Sequence, residues 1–283
     1  MVGRLLDQAN IKHIDAIGVG SIGPIDMRSG EILQTPNISI SNIPIVKFLR
    51  LTFNVPVYIV NDCVAAVIAE WIHGGGRGLE NIVYVTFSSG IGGGAVVDGR
   101  VLYGKDGNAV EVGHIVVDFE GRLRCGCGGY GHWEAYTSGS NIHRFVGLLI
   151  DTIYGDEKFK NSMLSEYADK YGVDYKILVE CAEKEDDLSR EILKHIAIIN
   201  AVGFASVTNA FDPEVISVGG SIVLRNPRYL VFDPILSYVE KYIINRMPKI
   251  TITPLGENVV LYGALALAMN PDLIPQNLKA GGG

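Results

Sequence analysis

Two rhythms of apolar residues alternate along this chain. Short continuous runs rich in valine and isoleucine end at glycines, and longer stretches carry apolar positions at helical spacing. The first suits strands buried on both faces and the second amphipathic helices. Residues 1–13 have the helical pattern. DAIGVGSIG, 15–23, predicts a buried strand that ends in a turn at Gly23-Pro24. PIVKFLRLTF, 44–53, suits a short helix with Pro44 in its first turn. VPVYIV, 55–60, is a β-branched strand that runs through Asn61-Asp62 into a helix closed by Gly74.

NIVYVTF, 81–87, is a further buried strand, followed by the glycine cluster SSGIGGG, 88–94, after which strand pattern resumes. AVEVGHIVVDFEG, 109–121, continues as extended chain. From Glu134 to about Asn209 the pattern is mainly helical, with breaks near Tyr154-Gly155 and Gly172 and a long amphipathic helix over 185–209. PEVISVGGSIV, 213–223, reads as strand, glycine turn and helix; 250–262 contains a final strand, and GALALAMN from 263 opens a terminal helix. The tail LKAGGG is expected to lie outside the fold. Strands alternating with helices make the class α/β. Two strand-to-glycine turns far apart, at 88–94 and 219–220, predict two similar sheets facing a cleft.

Composition narrows the partners. The chain has 283 residues, enough for about two domains, each with a real core. With 48% hydrophobic and 19% charged residues it has the balance of a globular protein. The formal net charge is −7 and there is no basic stripe, which argues against nucleic acid as a partner. No run of eighteen uncharged apolar residues occurs, so no membrane span is expected. MVGRLLDQANIKH, charged from Arg4 onward, does not have the form of a signal peptide, and a cytoplasmic protein is expected. The four cysteines are too few for a disulfide framework; Cys63 and Cys181 read as small core residues.

The other two cysteines change the picture. Cys125-x-Cys127 is followed by His132 and preceded by His114. These are four ligands of the types zinc prefers, in a glycine-rich segment able to wrap a metal. The alternative is a pair of buried thiols and two unrelated histidines. A closed four-ligand site would be structural, because it leaves no open position for water, and that disfavours a zinc hydrolase. The metal would staple residues 114–132 into one loop and fix Glu111 and Glu134, two carboxylates suited to accept hydrogen bonds from a polyhydroxylated ligand.

EVGH at 111–114 with CGCGGYGHWE at 125–134 resembles the pattern Glu-x-Gly-His … Cys-x-Cys-Gly-x-x-Gly-Cys-x-Glu of the ROK family of sugar kinases and sugar-responsive repressors, which lies in the actin-like ATPase superfamily. One position departs: His132 stands where the family has a third cysteine, and imidazole can replace thiolate on zinc. The resemblance extends over most of the chain. GVGSIGPID, 18–26, is similar to the family's turn after the third strand, and TPNI, 35–38, to its sugar-side loop. NDCVAAVIAE, 61–70, resembles the Asn-Asp catalytic segment, SSGIGGG the second phosphate loop, and FDPEVISVGGSI, 211–222, the adenosine-side motif.

The resemblance implies two actin-like (ribonuclease H-like) α/β lobes around a central cleft. The first lobe would take 1–85 and, by return of the terminal helix, 263–283; the second would take 86–262 with the zinc loop. It implies a hexose kinase using ATP and Mg2+, with glucose the leading substrate and N-acetylhexosamines next, and a homodimer. Asp62 ends a strand and begins a helix, a place where a carboxylate faces the cleft of an open sheet, although an N-cap would also use it. By resemblance Asp62 is the base that takes the proton of the attacking hydroxyl. Asn37, Asn61, Glu111, His114 and Glu134 would contact the sugar, His114 with one ring nitrogen on zinc and the other on the sugar. Ser89, Gly90, Gly92 and Gly93 would approach the ATP phosphates, for which a plain hairpin is the alternative, and Gly219 and Gly220 would flank the adenosine. The family also carries a first phosphate loop, Asp-x-Gly-Gly-Thr, on an initial hairpin. That motif does not occur in these residues, so an incomplete first lobe with an exposed edge on the strand at 15–22 is expected. A catalytically silent sugar-binding protein is the competing reading, which the presence of Asp62 disfavours. A repressor is disfavoured because residues 1–13 cannot form a winged helix.

Overall fold

The computed structural model describes residues 2–33 and 40–280. The chain opens with helix α1 (Val2–Ala9), shorter than the predicted 1–13 because Asn10 turns left-handed at φ 53°. Strand β1 (Ile17–Ser21) follows, then the short antiparallel pair β2 (Ile25–Asp26) and β3 (Glu31–Ile32), helix α2 (Ile45–Phe53), strand β4 (Val57–Asn61) and helix α3 (Asp62–His73). β1 pairs with β4 in parallel, from Ile17 opposite Val57 to Ser21 opposite Asn61, and its other edge has no strand partner among the described residues.

The second sheet has five strands. β5 (Ile82–Phe87), β6 (Ile91–Val97) and β7 (Arg100–Val101) form an antiparallel meander. Helices α4 (Glu134–Thr137), α5 (Ile142–Leu149), α6 (Gly155–Lys160), α7 (Met163–Tyr171), α8 (Tyr175–Glu183) and α9 (Asp187–Phe211) come next. Strand β8 (Val215–Gly219) then pairs in parallel with β5, followed by α10 (Ser221–Arg225), α11 (Arg228–Val231) and α12 (Asp233–Val239). β9 (Lys249–Ile252) completes the order β7-β6-β5-β8-β9, and α13 (Val259–Met269) is followed by two 3-10 turns, Pro271–Leu273 and Gln276–Leu278. β5 and β8 are central and buried, which is why both read as unbroken apolar runs.

Helix α3 joins the two sheets because it is small on both faces. Cys63, Ala66 and Val67 pack with Ile82, Tyr84 and Val96 of the five-stranded sheet, while Val64, Ala65 and Ile68 share a core with Val57, Ile59, Ala266 and Leu267. Helix α13 crosses α3 so closely that a Cβ on Gly263 would lie 1.7 Å from the Ala65 carbonyl oxygen. Ile274, Leu278 and Tyr103, the last from the loop after β7, join the core around β1 and β4. Gly263→Ala should gain about 1 kcal/mol of helix propensity but lose more to that backbone clash, a net loss of about 2–3 kcal/mol in chemical denaturation. Unchanged stability would mean that the helices do not cross this tightly.

Three expectations are corrected. The glycine turns at 88–94 and 219–220 do not mark two sheets: β5, β6 and β8 lie in one sheet, with Thr86 opposite Gly219. The terminal helix begins at Val259, not 263, and the strand before it covers only Lys249–Ile252. Between them the Thr253 hydroxyl donates to the buried Glu70 carboxylate, and Thr253 Oγ1 accepts from the Leu255 amide at 3.1 Å, which turns the chain early. Residues 109–121 do not form a strand. Val110 is left-handed at φ 67°, Val112–His114 make one 3-10 turn, and the remaining pairing is a single bridge, Val116 with His132. Asp187–Phe211 is long and apolar enough, by length and composition, to cross a membrane. Here it is a core helix, with Ile192, Ile196 and Phe204 buried. Its start is set by Asp186, whose side chain accepts from the Ser189 amide.

Candidate active site and metal centre

At the junction of β4 and α3, Asn61 is the N-cap and its Oδ1 accepts from the Cys63 amide at 2.8 Å. Asp62, the next residue, is the first of the helix, and its Oδ1 reaches the same amide at 2.8 Å. Asn61 alone satisfies the cap with its amide oxygen, so a carboxylate beside it is not needed for helix formation. Burial raises the Asp62 pKa, and the Cys63 hydrogen bonds oppose that shift only in part. Cys63 behind it is a buried thiol raised well above its ordinary range by burial, with the Asp62 charge adding, so it is inert packing. Cys181 is likewise buried and free.

The loop after β7 brings His114, Cys125, Cys127 and His132 together, with one ligand atom from each inside a 4.8 Å cluster. The Nδ1 atoms of the two histidines are 3.3 Å apart; Cys125 Sγ is 3.8 Å from His114 Nδ1 and Cys127 Sγ 3.2 Å from His132 Nδ1. Zinc–ligand bonds of ordinary length in a tetrahedron give edges of about 3.3 Å between nitrogens and about 3.6 Å between nitrogen and sulfur. These three separations lie within about 0.4 Å of those edges, so the donor set fits a tetrahedral ion after small side-chain adjustments. Its chemistry fits as well. Burial pushes the Cys125 thiol up to about 11, so a thiolate there calls for a cation. Burial and the neighbouring His114 lower His132, which favours the neutral imidazole that a metal needs.

The other nitrogen of His114 faces a carboxylate beyond hydrogen-bond distance: Nε2 lies 3.9 Å from Glu111 Oε2. Glu111 is raised by burial; His114 opposes this, while the charges of Asp62 and Glu134 add to it. Three acidic side chains from three segments thus converge on one locality, with Asn61 beside them. Glu134 begins α4, and its two oxygens are divided. Oε2 accepts from the Ile91 amide at 2.9 Å, and Oε1 lies 3.8 Å from Cys125 Sγ.

The predicted phosphate residues separate into two groups. Ser88, Ser89 and Gly90 make the turn between β5 and β6, closed by a hydrogen bond from the Ser88 amide to the Gly90 carbonyl at 3.0 Å. Gly92 and Gly93 lie within β6, opposite Thr86 and Val85. A Cβ on Gly92 would meet Cys63 Sγ at 2.8 Å and one on Gly93 would meet Val112 at 2.8 Å, so both let α3 and the 110–113 segment press onto the strand. Gly219 ends β8, and Gly220, at φ 92°, turns the chain into α10 against the Phe87 carbonyl. Asn37 lies outside the described residues.

Two groups that matter here are absent from the sequence reading. Asn108 accepts from the Ile25 amide at 3.1 Å and donates to the Ile25 carbonyl at 3.0 Å, which ties the loop after β7 to the turn at Gly23-Pro24. A clamp across 83 residues leaves no local trace. Asp118, buried, accepts from the Tyr136 hydroxyl and from Arg122 Nε at 3.0 Å, and Tyr136 in turn accepts from the Leu123 amide at 3.1 Å. An acidic residue in an apolar run was the one available signal.

The family model described as "ROK: ROK family" matches residues 1–270. A glucokinase of Pyrobaculum calidifontis is 38% identical over 266 residues, 94% of this chain and 81% of that protein. The crystal structure of a ROK hexokinase from Thermus thermophilus superposes with a TM-score of 0.79 at 31% identity, covering 95% of this chain and 83% of the other. A ROK glucokinase from Streptomyces griseus, in complex with glucose and AMPPNP, superposes at 0.77 with 29% identity, covering 95% and 86%.

Proposed function

The chain belongs to the ROK family, and from that premise we propose that it is an ATP-dependent hexose kinase that phosphorylates a hydroxyl of glucose. The observation that carries the reading is Asp62, a half-buried carboxylate at a strand-to-helix junction whose charge acts on Glu111, which also senses Glu134. The glucokinase and hexokinase relatives support the substrate class, and the neighbour bound to glucose and AMPPNP supports ATP as the donor.

In this reading Asp62 accepts the proton of the sugar hydroxyl as its oxygen attacks the γ-phosphorus in line, and the bond to the β–γ bridging oxygen breaks. A raised pKa makes Asp62 a stronger base than a solvated carboxylate. Asn61, Glu111, His114 and Glu134 orient the sugar, Asn37 remains a candidate, and Ser89 and Gly90 present the turn to the phosphates. Gly92 and Gly93 serve mainly by letting α3 and the 110–113 segment press onto β6. Gly219 and Gly220 flank the adenosine. Mg2+ would supply charge neutralisation at the β- and γ-phosphates. His114, Cys125, Cys127 and His132 would hold a structural Zn2+ that orients Glu111 and Glu134 without touching phosphate. We place the protein in the cytoplasm and as a homodimer, on family membership.

The test is phosphate transfer from ATP, with magnesium, to a panel of hexoses and hexosamines. Transfer to glucose above mannose and the N-acetylhexosamines is expected. A chain that binds glucose yet transfers nothing would overturn the kinase reading in favour of a sugar-binding protein.

A further inference from the structure

Between the metal loop and the turn at 88–90 lies a set of contacts that neither site needs for its own sake. The short helix α4 and the residues after it grip that turn from both ends. At the start, the Ile91 amide donates to Glu134 Oε2 at 2.9 Å. Past the end, the Gly139 amide donates to the Ser88 carbonyl at 2.8 Å and the Ser140 amide to the Ser89 carbonyl at 3.1 Å. The approach is close at both points. A Cβ on Gly90 would lie 2.6 Å from Glu134 Oε2, and one on Gly139 would lie 2.9 Å from the Ser88 carbonyl oxygen. Behind this grip Trp133 is fully buried, with its ring edge-on to Phe87 at 5.4 Å and its Nε1 donating to Asn200 at 2.9 Å. Both residues flanking the grip, Phe87 before the turn and Trp133 before Glu134, are therefore fixed to the same core.

The turn's own support is one internal hydrogen bond across three residues. A short turn held only by that bond would have to be ordered by the nucleotide, and ordering backbone costs affinity. A turn already gripped on both sides would not.

We propose that residues 134–140 are the platform that fixes the phosphate turn, with Glu134 and Gly139 as positioning residues for ATP, so that Glu134 links the sugar and nucleotide sites. The proposal rests on the kinase reading above. The competing account is that Glu134 serves the sugar alone and the Ile91 amide merely orients it. The two differ in one quantity: the affinity for nucleotide when no sugar is present. If Glu134 does link the sites, sugar and nucleotide must also alter each other's affinity by the same factor.

The experiment is calorimetric titration of the full chain with AMPPNP and magnesium, without sugar. Glu134→Ala removes a carboxylate acceptor from a backbone amide and should weaken nucleotide binding about tenfold. Glu134→Gln keeps an oxygen acceptor and should weaken it only about threefold. Gly139→Ala touches neither the sugar residues nor the metal ligands. It should weaken nucleotide about fivefold through the crowded Ser88 carbonyl and leave glucose affinity unchanged. Hydrogen exchange at residues 88–91 should accelerate in Glu134→Ala. Wild-type nucleotide affinity in either Glu134→Ala or Gly139→Ala overturns the platform. A wild-type chain that binds no nucleotide overturns the kinase reading instead. If Glu134→Ala does not fold, Glu134→Gln and Gly139→Ala carry the test.

Discussion

Asp62→Asn should abolish most phosphoryl transfer, lowering kcat by about 10²–10⁴, while glucose still binds. The side chain keeps its shape and its acceptor for the Cys63 amide, so the fold has no reason to change. What disappears is the lone pair that takes the proton. The same substitution should raise the melting temperature. Burial lifts the Asp62 pKa, so the folded protein binds that proton more tightly than the unfolded chain does. The carboxyl's favourable share of stability is then present at acid pH. It is lost as pH rises through the raised value, and at neutral pH the buried charge opposes folding. Asparagine removes the charge. Activity should follow the reverse course, falling as pH drops through that raised pKa and the base becomes protonated. Full phosphoryl transfer in Asp62→Asn, measured with a coupled assay at saturating glucose and ATP, would remove Asp62 from the chemistry. A lower melting point would mean that the carboxylate is paired in a way the structure does not show.

How far such a site can be read from sequence depends on whether its partners are local. Asn61 and Asp62 were legible because a strand ends and a helix begins at that pair, and the pair exceeds what capping requires. That His114, Cys125, Cys127 and His132 would come together was legible because residue type and glycine content together restrict what they can do. The segment 109–121 was not. Its valines and isoleucine have strand propensity, but Val112 is buried beneath β6 and Gly113 lies against the Ile91 carbonyl, so tertiary packing bends a β-rich sequence into a 3-10 turn. Glycine posed the same difficulty in another form. Its absent side chain announces close approach but does not say of what. At Gly92 the approaching group is Cys63, on a helix whose proximity no local pattern reveals. The start of α13 was misplaced for a related reason, since the Glu70 contact that turns the chain spans 183 residues.

Removing the metal should separate what the ion holds from what the chain holds unaided. Dialysis against a chelator, or Cys125→Ser, should leave far-UV circular dichroism nearly unchanged and lower glucose affinity by about tenfold or more. The reason is that the loop has a second anchor. Asp118 binds Arg122 and Tyr136 through contacts that involve no metal ligand, and Trp133 is pinned to Asn200, so residues 118–136 keep their path. His114 and Glu111 have no comparable support: His114 is half-exposed, its Nδ1 lies in the cluster, and its Nε2 is 3.9 Å from Glu111, beyond hydrogen-bond distance. Without the ion, two imidazoles and two thiols meet at 3–4 Å with nothing between them, and the His114 ring is free to leave. Glu111, its partner, then loses the neighbour that most opposes its raised pKa. Bound at a thousand times its dissociation constant, the ion adds about 4 kcal/mol of stability, which for a chain of this length is a fall of roughly 7 °C in melting temperature when it is removed. Metal analysis should find one zinc per wild-type chain and much less in Cys125→Ser. Unaltered glucose affinity in the stripped protein would show that the carboxylates are placed without the metal, and the opening of the 114–132 loop on stripping would show that the Asp118 anchor does not suffice.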